Sequence, residues 1–457
     1  MTTPGGLTPT GNGQALPQPP TLQNLATQPH VVEVQLTAAP STLLLVTGVQ
    51  TAVLAYNGSI PGPTLELTEG DHVVVHFKNG LSEPTTVHWH GMHIPADQDG
   101  SPMDPVAPGA SRDYVFDVLP GTAGTYWYHP HPDGLTVGPV EKGLAGVVRV
   151  RAARDPLPAT FGDTLLVLTD IKLDATGQVA VTDDVDQMNG REGGAVFVNG
   201  AVLPTLTVRS GDVRRLRILN ASAARSYRLA IPGVTWLLVG TEGGLIGAPQ
   251  EQSELLLAPA ERVEVLLRAS APPGTQTTLQ ALPYDRGAMF MDSSGMGTLT
   301  SDLVDLVKVQ YLPDAPAAAP AVPAVLRPVT ALDTTGAPTR AFVLTEKMMA
   351  LDFRINDKKY DAARVDEHVA LGATEIWTVE NKGDMDHPFH LHGFRFQVLD
   401  RSGVAAPFVA WKDTVNVVKN ETVRFAVRFD DYPGMRMYHC HILEHEALGM
   451  MGTFEVR

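Results

Sequence analysis

The sequence predicts an all-β protein built from three β-sandwich domains, and two observations carry that reading. Short runs of alternating apolar and polar residues recur between turns rich in glycine and proline. Asp71–Asn79 (DHVVVHFKN), Ser111–Val118 (SRDYVFDV) and Gly146–Ala152 (GVVRVRA) are examples. This is the period-two spacing of strands with one buried face. One longer pattern also occurs three times, beginning at Pro61, Val202 and Glu367. Each copy has a turn rich in glycine or acid, a strand ending in asparagine, a short loop and another strand. A repeated supersecondary unit of this size implies copies of one domain.

Taken in order, residues 1–30 read as a flexible tail, because Gly, Pro, Thr and Gln dominate there and such composition buries little apolar surface. The first sandwich is expected over residues 31–155 and the second over 156–312. A Pro/Ala-rich linker, expected to be extended, covers 313–328. The third sandwich follows over 329–457. In the first and third copies the last strand of the repeat carries histidines; in the second it reads SYRLAI and has none.

The net charge of −16 with scattered basic residues argues against nucleic acid or anionic membrane as a partner. No run of eighteen apolar residues is present, so no membrane-spanning helix is expected. The single cysteine cannot form an internal disulfide. The N-terminus lacks the basic start and apolar core of a secretory leader.

Ten of the fifteen histidines fall in four tight groups: His88 and His90; His129 and His131; His387, His390 and His392; His439, His441 and His445. Each group contains His-x-His. On a strand, residues i and i+2 share a face, roughly 6.6 Å apart along the backbone. Four pairs supply eight imidazoles, too many for one ion and suited to a three-metal cluster. Residue i+1 points to the opposite face, so Cys440 must look away from His439 and His441 and belong to a second metal centre. His445, Met450 and His387 complete its candidate ligands. Two histidines, a thiolate and a weak axial thioether form a blue-copper site, whereas zinc has little use for the thioether. A lone buried cysteine is usually core packing, but four His-x-His pairs around the only cysteine are not explained that way.

These four motifs resemble the signature of the multicopper oxidases, especially three-domain bacterial laccase-like enzymes, over roughly Val31 to Arg457. The resemblance implies Greek-key cupredoxin domains and four copper ions. It places His387, Cys440, His445 and Met450 on a type 1 copper and His88 and His390 on a type 2 copper. His90, His129, His131, His392, His439 and His441 would hold a type 3 pair, with the second domain a copper-free spacer shaping the substrate entrance. Asp99 and Glu446 resemble the family's acids that supply protons while O2 is reduced to water. Phenols and other aromatic reductants are the substrates the resemblance implies first. Cuprous ion is the alternative, suggested by Met289, Met291, Met296 and Met385. A copper-free structural relative is the alternative of another class. The resemblance also implies an exported monomer, with any leader absent from this chain.

Overall fold

The computed structural model describes residues 7–292, 295–315, 318 and 320–457, with the side chains of 290–299 left aside. Its strands form three successive two-sheet sandwiches. In the first, one sheet orders Val49–Tyr56, Val31–Val46, His72–Asn79 and Ser111–Asp117. The opposing sheet orders Gly62–Thr68, Gly146–Arg151, Gly124–His129 and His88–His90. The third sandwich repeats this plan. Thr339–Lys347, Thr374–Asn381 and Thr422–Arg428 are central to one sheet, and Met451–Val456, Gly434–Cys440 and His387–Leu391 to the other.

The repeat extends to topology. Each sandwich carries one parallel pair in each sheet, at corresponding places. Val31–Val46 runs parallel to His72–Asn79, Thr164–Ile171 to Val213–Asn220, and Thr339–Lys347 to Thr374–Asn381. In the facing sheets Gly62–Thr68 pairs with Gly146–Arg151, Thr205–Val208 with Val304–Tyr311, and Glu367–Val369 with Met451–Val456. Parallel neighbours require long crossovers, which here join the two sheets of each sandwich.

The asparagine that ends the repeated strand has one job in all three copies. Asn79, Asn220 and Asn381 are buried. Asn79 Nδ2 donates to the carbonyls of Glu83 and Val106, both at 2.9 Å, and its Oδ1 accepts from Leu81 N. Asn220 does the same with Arg225, Leu257 and Ser222, and Asn381 with Met385, Val417 and Gly383. Each amide satisfies backbone groups of the loop that leads to the next strand, which in the third sandwich is the strand carrying His387 and His390. A buried carbonyl left without a donor is costly, so these residues fix where the histidine strands begin.

One sequence expectation changes. From Leu7 onward the N-terminal segment is bonded along two sandwiches and is not a free tail. Thr10 N donates to Leu45 O, Leu16 N to Thr205 O and Leu22 N to Thr64 O, at 2.8–2.9 Å. Composition reports what side chains can bury; it is blind to unpaired strand edges that an extended backbone can join. The latter part of the Pro/Ala segment is also anchored, since Leu326 is buried and its N–H donates to Gly247 O at 2.9 Å.

Replacing Asn381 by alanine orphans two buried carbonyls and should cost about 1–3 kcal/mol for each. Urea unfolding of Asn381→Ala checks this, and stability equal to wild type would refute the assigned role.

Candidate metal centre

The four histidine groups meet where the first and third sandwiches face each other. His88 pairs across the sheet with His129, and His390 with His439. Rings from the two sandwiches then stack: His88 on His392 at 3.9 Å between centroids, and His90 on His390 at 3.7 Å. Only His88–His90 lies wholly within a strand. The other three pairs run off a strand end, the strands stopping at His129, Leu391 and Cys440.

All eight imidazoles are buried, and they gather into overlapping sets. His88, His90 and His390 form one; His90, His129 and His441 a second; His131, His392 and His439 a third. Six of the rings are oriented by a hydrogen bond at their outer nitrogen. Nδ1 donates to Asp99 O from His88 (2.8 Å), to Pro130 O from His129 (2.9 Å), to Asp413 O from His390 (2.9 Å) and to Cys440 O from His439 (2.9 Å). His392 Nδ1 donates to Asp99 Oδ2 at 2.7 Å, and His90 Nε2 to Asp413 Oδ1 at 3.2 Å. The other nitrogen of each ring must then present a lone pair inward.

These lone pairs converge. His439 Nε2 lies 3.1 Å from His392 Nε2 and 3.2 Å from His131 Nε2, and His90 Nδ1 lies 3.4 Å from His129 Nε2. The Nε2 atoms of His88 and His390 are buried without a protein partner. Such an arrangement repels itself unless a cation lies between the nitrogens, so the donor set fits a metal cluster. Burial also holds the rings in the form metals need. His90, His129, His131, His390, His392 and His441 are held well below the ordinary imidazole value by desolvation, and His439 falls to about 3 for the same reason.

Cys440 faces the opposite way, into the core of the third sandwich. Its sulfur lies 3.4 Å from His387 Nδ1 and 4.0 Å from His445 Nδ1. His445 sits on the short helix Leu443–Ala447 just past the strand, stacked on Phe353 at 4.0 Å. Met450 is fully buried in the same core, and its carbonyl accepts the Cys440 N–H at 3.0 Å. A cysteine sulfur and two imidazole Nδ1 atoms, with a methionine buried in the same core, suit a soft metal such as copper.

The two acids singled out in the sequence lie against this cluster. Asp99 is buried, bonded to His392, and faces Arg436 at 3.4 Å. Glu446 accepts from Thr136 Oγ1 at 3.0 Å and stands 3.7 Å from His131 and 3.6 Å from His439. Desolvation pushes its carboxyl up to about 8. Met385 is buried in the third core and Met289 packs against it; the side chains of Met291 and Met296 lie outside the described residues.

Three residues that sequence reasoning missed also belong to the site. Glu346 places Oε2 2.8 Å from His387 Nε2, with both side chains buried. Asp413 touches His90 and His390, and Arg262 of the second sandwich grips Asp413. None sits in a histidine motif, and three strands, Asp352–Ile355, Glu367–Val369 and Thr374–Asn381, separate Glu346 from His387 in the chain. The remaining histidines, His30, His72, His76, His93 and His368, lie outside these sets, and each pairs with a carboxylate away from the cluster: Asp71, Asp117, Glu33 and Asp113, Asp431, and Glu455 respectively.

A neutral buried imidazole gains a proton when the chain unfolds, so the unfolded state binds more protons below the ordinary value of 6.5. The metal-free protein should therefore lose stability as pH falls below that value, each such ring adding up to about 1.4 kcal/mol per pH unit. Glu446 and Glu242, raised to about 8 and about 7, Glu444, also raised by burial, and His387, raised to about 10, act in the opposite sense but are outnumbered. Thermal midpoints of copper-depleted protein between pH 7.5 and 5 test this, and a flat profile would contradict it.

Sequence profiles of the multicopper oxidase family match residues 37–155, 168–293 and 333–457. The multicopper oxidase Mco of Staphylococcus haemolyticus is 31% identical over 412 residues, covering 88% of this chain and 83% of its own. Among solved structures, a multicopper oxidase from Campylobacter jejuni described as a metallo-oxidase superposes with a TM-score of 0.88 at 35% identity, over 100% of this chain and 99% of that one. A laccase from Pediococcus acidilactici gives 0.87 at 32% identity, over 98% and 95%. With its three cupredoxin-like sandwiches and these matches spanning most of its length, the chain belongs to the multicopper oxidase family.

Proposed function

We propose that this oxidase couples O2 reduction to the oxidation of cuprous ion, using four copper ions. His387, Cys440, His445 and Met450 would hold the first. His88 and His390 would hold a second, and two triads, His90, His129, His441 and His131, His392, His439, the remaining pair. When bound, the first copper accepts single electrons and the other three together reduce O2 to two waters.

The chain's own residues prepare both ends. Cys440 touches both centres: its sulfur lies at the first, while its carbonyl accepts the His439 N–H at the second, at 2.9 Å. Glu446, raised to about 8, holds a proton at neutral pH beside His131 and His439, where O2 reduction consumes protons. Asp99 fixes His392 and is the second proposed proton source.

One observation carries the choice of reductant. The outer edge of His387 is capped by the buried Glu346 carboxylate at 2.8 Å, and the outer edge of His445 by the Met188 carbonyl at 3.2 Å. Neither edge offers an open face to an aromatic ring. The same carboxylate accepts from Met385 N at 3.1 Å, and Met188, Met289, Met348 and Met385 lie in or against the core of the third sandwich; a carboxylate and thioethers on this side of the site suit a small soft cation. The likeness to a metallo-oxidase supports this reading. Phenol oxidation is the second reading, favoured by a cavity of about 650 Å3 lined by Tyr284, Arg286 and Asn189, where Tyr284 donates to Asp386, the neighbour of His387, at 2.6 Å. Action outside the cytoplasm as a monomer completes the proposal, testable by cell fractionation and light scattering.

Glu346→Gln should lower kcat/KM for Cu+ by on the order of 10-fold, the loss of one charge-assisted contact, and change phenol turnover less; the reverse pattern would favour the second reading. Cys440→Ser should abolish blue absorption and oxidase activity in a folded chain, and retained activity would end the mechanism.

A further inference from the structure

The second sandwich carries no histidine ligand, yet one of its side chains reaches the cluster. Arg262 begins the strand Arg262–Arg268 and is completely buried. Its Nη1 and Nη2 donate to Asp413 Oδ1 and Oδ2, each at 2.7 Å. Its Nε donates to Thr125 O of the first sandwich at 2.8 Å, and Nη1 also reaches Ala260 O at 3.2 Å. One guanidinium thus joins all three sandwiches. Asp413 in turn accepts from two imidazoles at once, by its carboxylate from His90 and by its main-chain carbonyl from His390. Thr414 Oγ1 donates to the same Oδ1 at 2.9 Å.

The space around this junction is closed. A Cβ on Gly91, the residue after His90, would lie 2.3 Å from Asp413 Oδ2 and 2.7 Å from Arg262 Nη2. Neighbouring contacts hold the same loop. Lys412 Nζ is bonded to Glu242 at 2.8 and 2.9 Å, and Thr241 Oγ1 donates to Trp411 O at 2.8 Å. Residues 411–413 are therefore held against the second sandwich from three directions.

We propose that Arg262 is a positioning residue of the histidine cluster: by gripping Asp413 at two points it fixes the ring orientation and tautomer of His90 and His390. The inference rests on the assignment of those two histidines as copper ligands. With Nε2–H of His90 committed to Asp413 Oδ1, the His90 lone pair is at Nδ1; with Nδ1–H of His390 committed to Asp413 O, the His390 lone pair is at Nε2. A carboxylate free to rotate could accept from His90 in several geometries. The planar fork removes that freedom, and the Nε bond to Thr125 O fixes the fork itself. Lysine supplies the charge but cannot bond both carboxylate oxygens and Thr125 O in one plane. The second sandwich thereby shapes the cluster it does not ligate.

The test is copper titration of the copper-depleted full chain against a competing chelator, with the type 2 electron paramagnetic resonance signal and the blue band of Cys440 recorded together. Arg262→Met should weaken binding of the type 2 ion by roughly 10–100-fold, as loss of an outer hydrogen-bond partner does, while the blue band per chain persists and reports a folded third sandwich. Arg262→Lys, which keeps the charge and is the variant to use if methionine is not tolerated, should recover only part of the affinity. Arg191→Met is the control. Arg191 is likewise buried and ties the second sandwich to Glu141 of the first at 2.6 Å, without touching a cluster imidazole; type 2 affinity should survive its loss. Wild-type affinity in Arg262→Met or Arg262→Lys would overturn the inference, as would an equal loss in Arg191→Met, which would make the effect one of general docking. A wild-type chain that binds only the ion at Cys440 would instead overturn the ligand assignment, and the inference with it.

Discussion

Two nitrogen lone pairs aimed at each other across 3.1 Å repel, and the structure concentrates several such encounters in one dry interface. Everything around the cluster serves to hold that unfavourable arrangement. In six of the eight rings the outward N–H is tied to a carbonyl or carboxylate oxygen, so those rings cannot rotate to relieve the repulsion. Desolvation keeps them uncharged, so protonation cannot relieve it either. The stacking of His88 on His392 and His90 on His390 presses rings of two sandwiches together. A metal ion is the one species that turns this strain into binding, which is why pre-organisation and metal affinity are the same property here.

The opposite faces of one strand separate two chemistries that must remain distinct yet connected. His439 and Cys440 are consecutive, so their side chains diverge by the pleat of the strand. The imidazole enters the polar interface between sandwiches, and the thiol enters a core containing Phe389, Tyr438 and Met450. A soft thiolate site in an apolar core and a hard-edged imidazole cluster at a domain interface thus sit side by side with no linking segment that could flex. The short helix after the strand returns His445 to the sulfur and Glu446 to the cluster, again by consecutive residues facing apart.

The interfaces between sandwiches combine apolar contact, as where Leu45, Val46 and Val53 meet Ile171, Leu173 and Phe197, with buried charge. Arg262 with Asp413 and Arg191 with Glu141 are ion pairs at or near zero exposure. Buried pairs of this kind add little net stability compared with apolar packing. Their value is directional: a guanidinium fork admits one orientation of its carboxylate, and the carboxylate then admits one orientation of the imidazole it meets. An apolar interface would hold the sandwiches together without fixing any ring.

The threefold repeat, the histidine pairs and the divergence of Cys440 from its neighbours were all legible in the sequence, because each depends on local periodicity. Spacing of i and i+2 has a geometric meaning wherever a strand forms, and Asn79, Asn220 and Asn381 mark equivalent positions by their identity alone. The partners that complete the site were not legible. Arg262 meets Asp413 across 151 residues and Asp413 meets His90 across 323, while Glu346 reaches His387 from a different sheet of the same sandwich. No periodicity encodes such pairings; they exist only once three sandwiches have docked. The ordered N-terminal segment was hidden for a related reason, since its partners are strand edges that the tertiary fold creates. The sequence by itself thus determined which side chains are candidate ligands, and the tertiary structure decided how they are aimed, because aiming depends on contacts between segments that chain order keeps far apart.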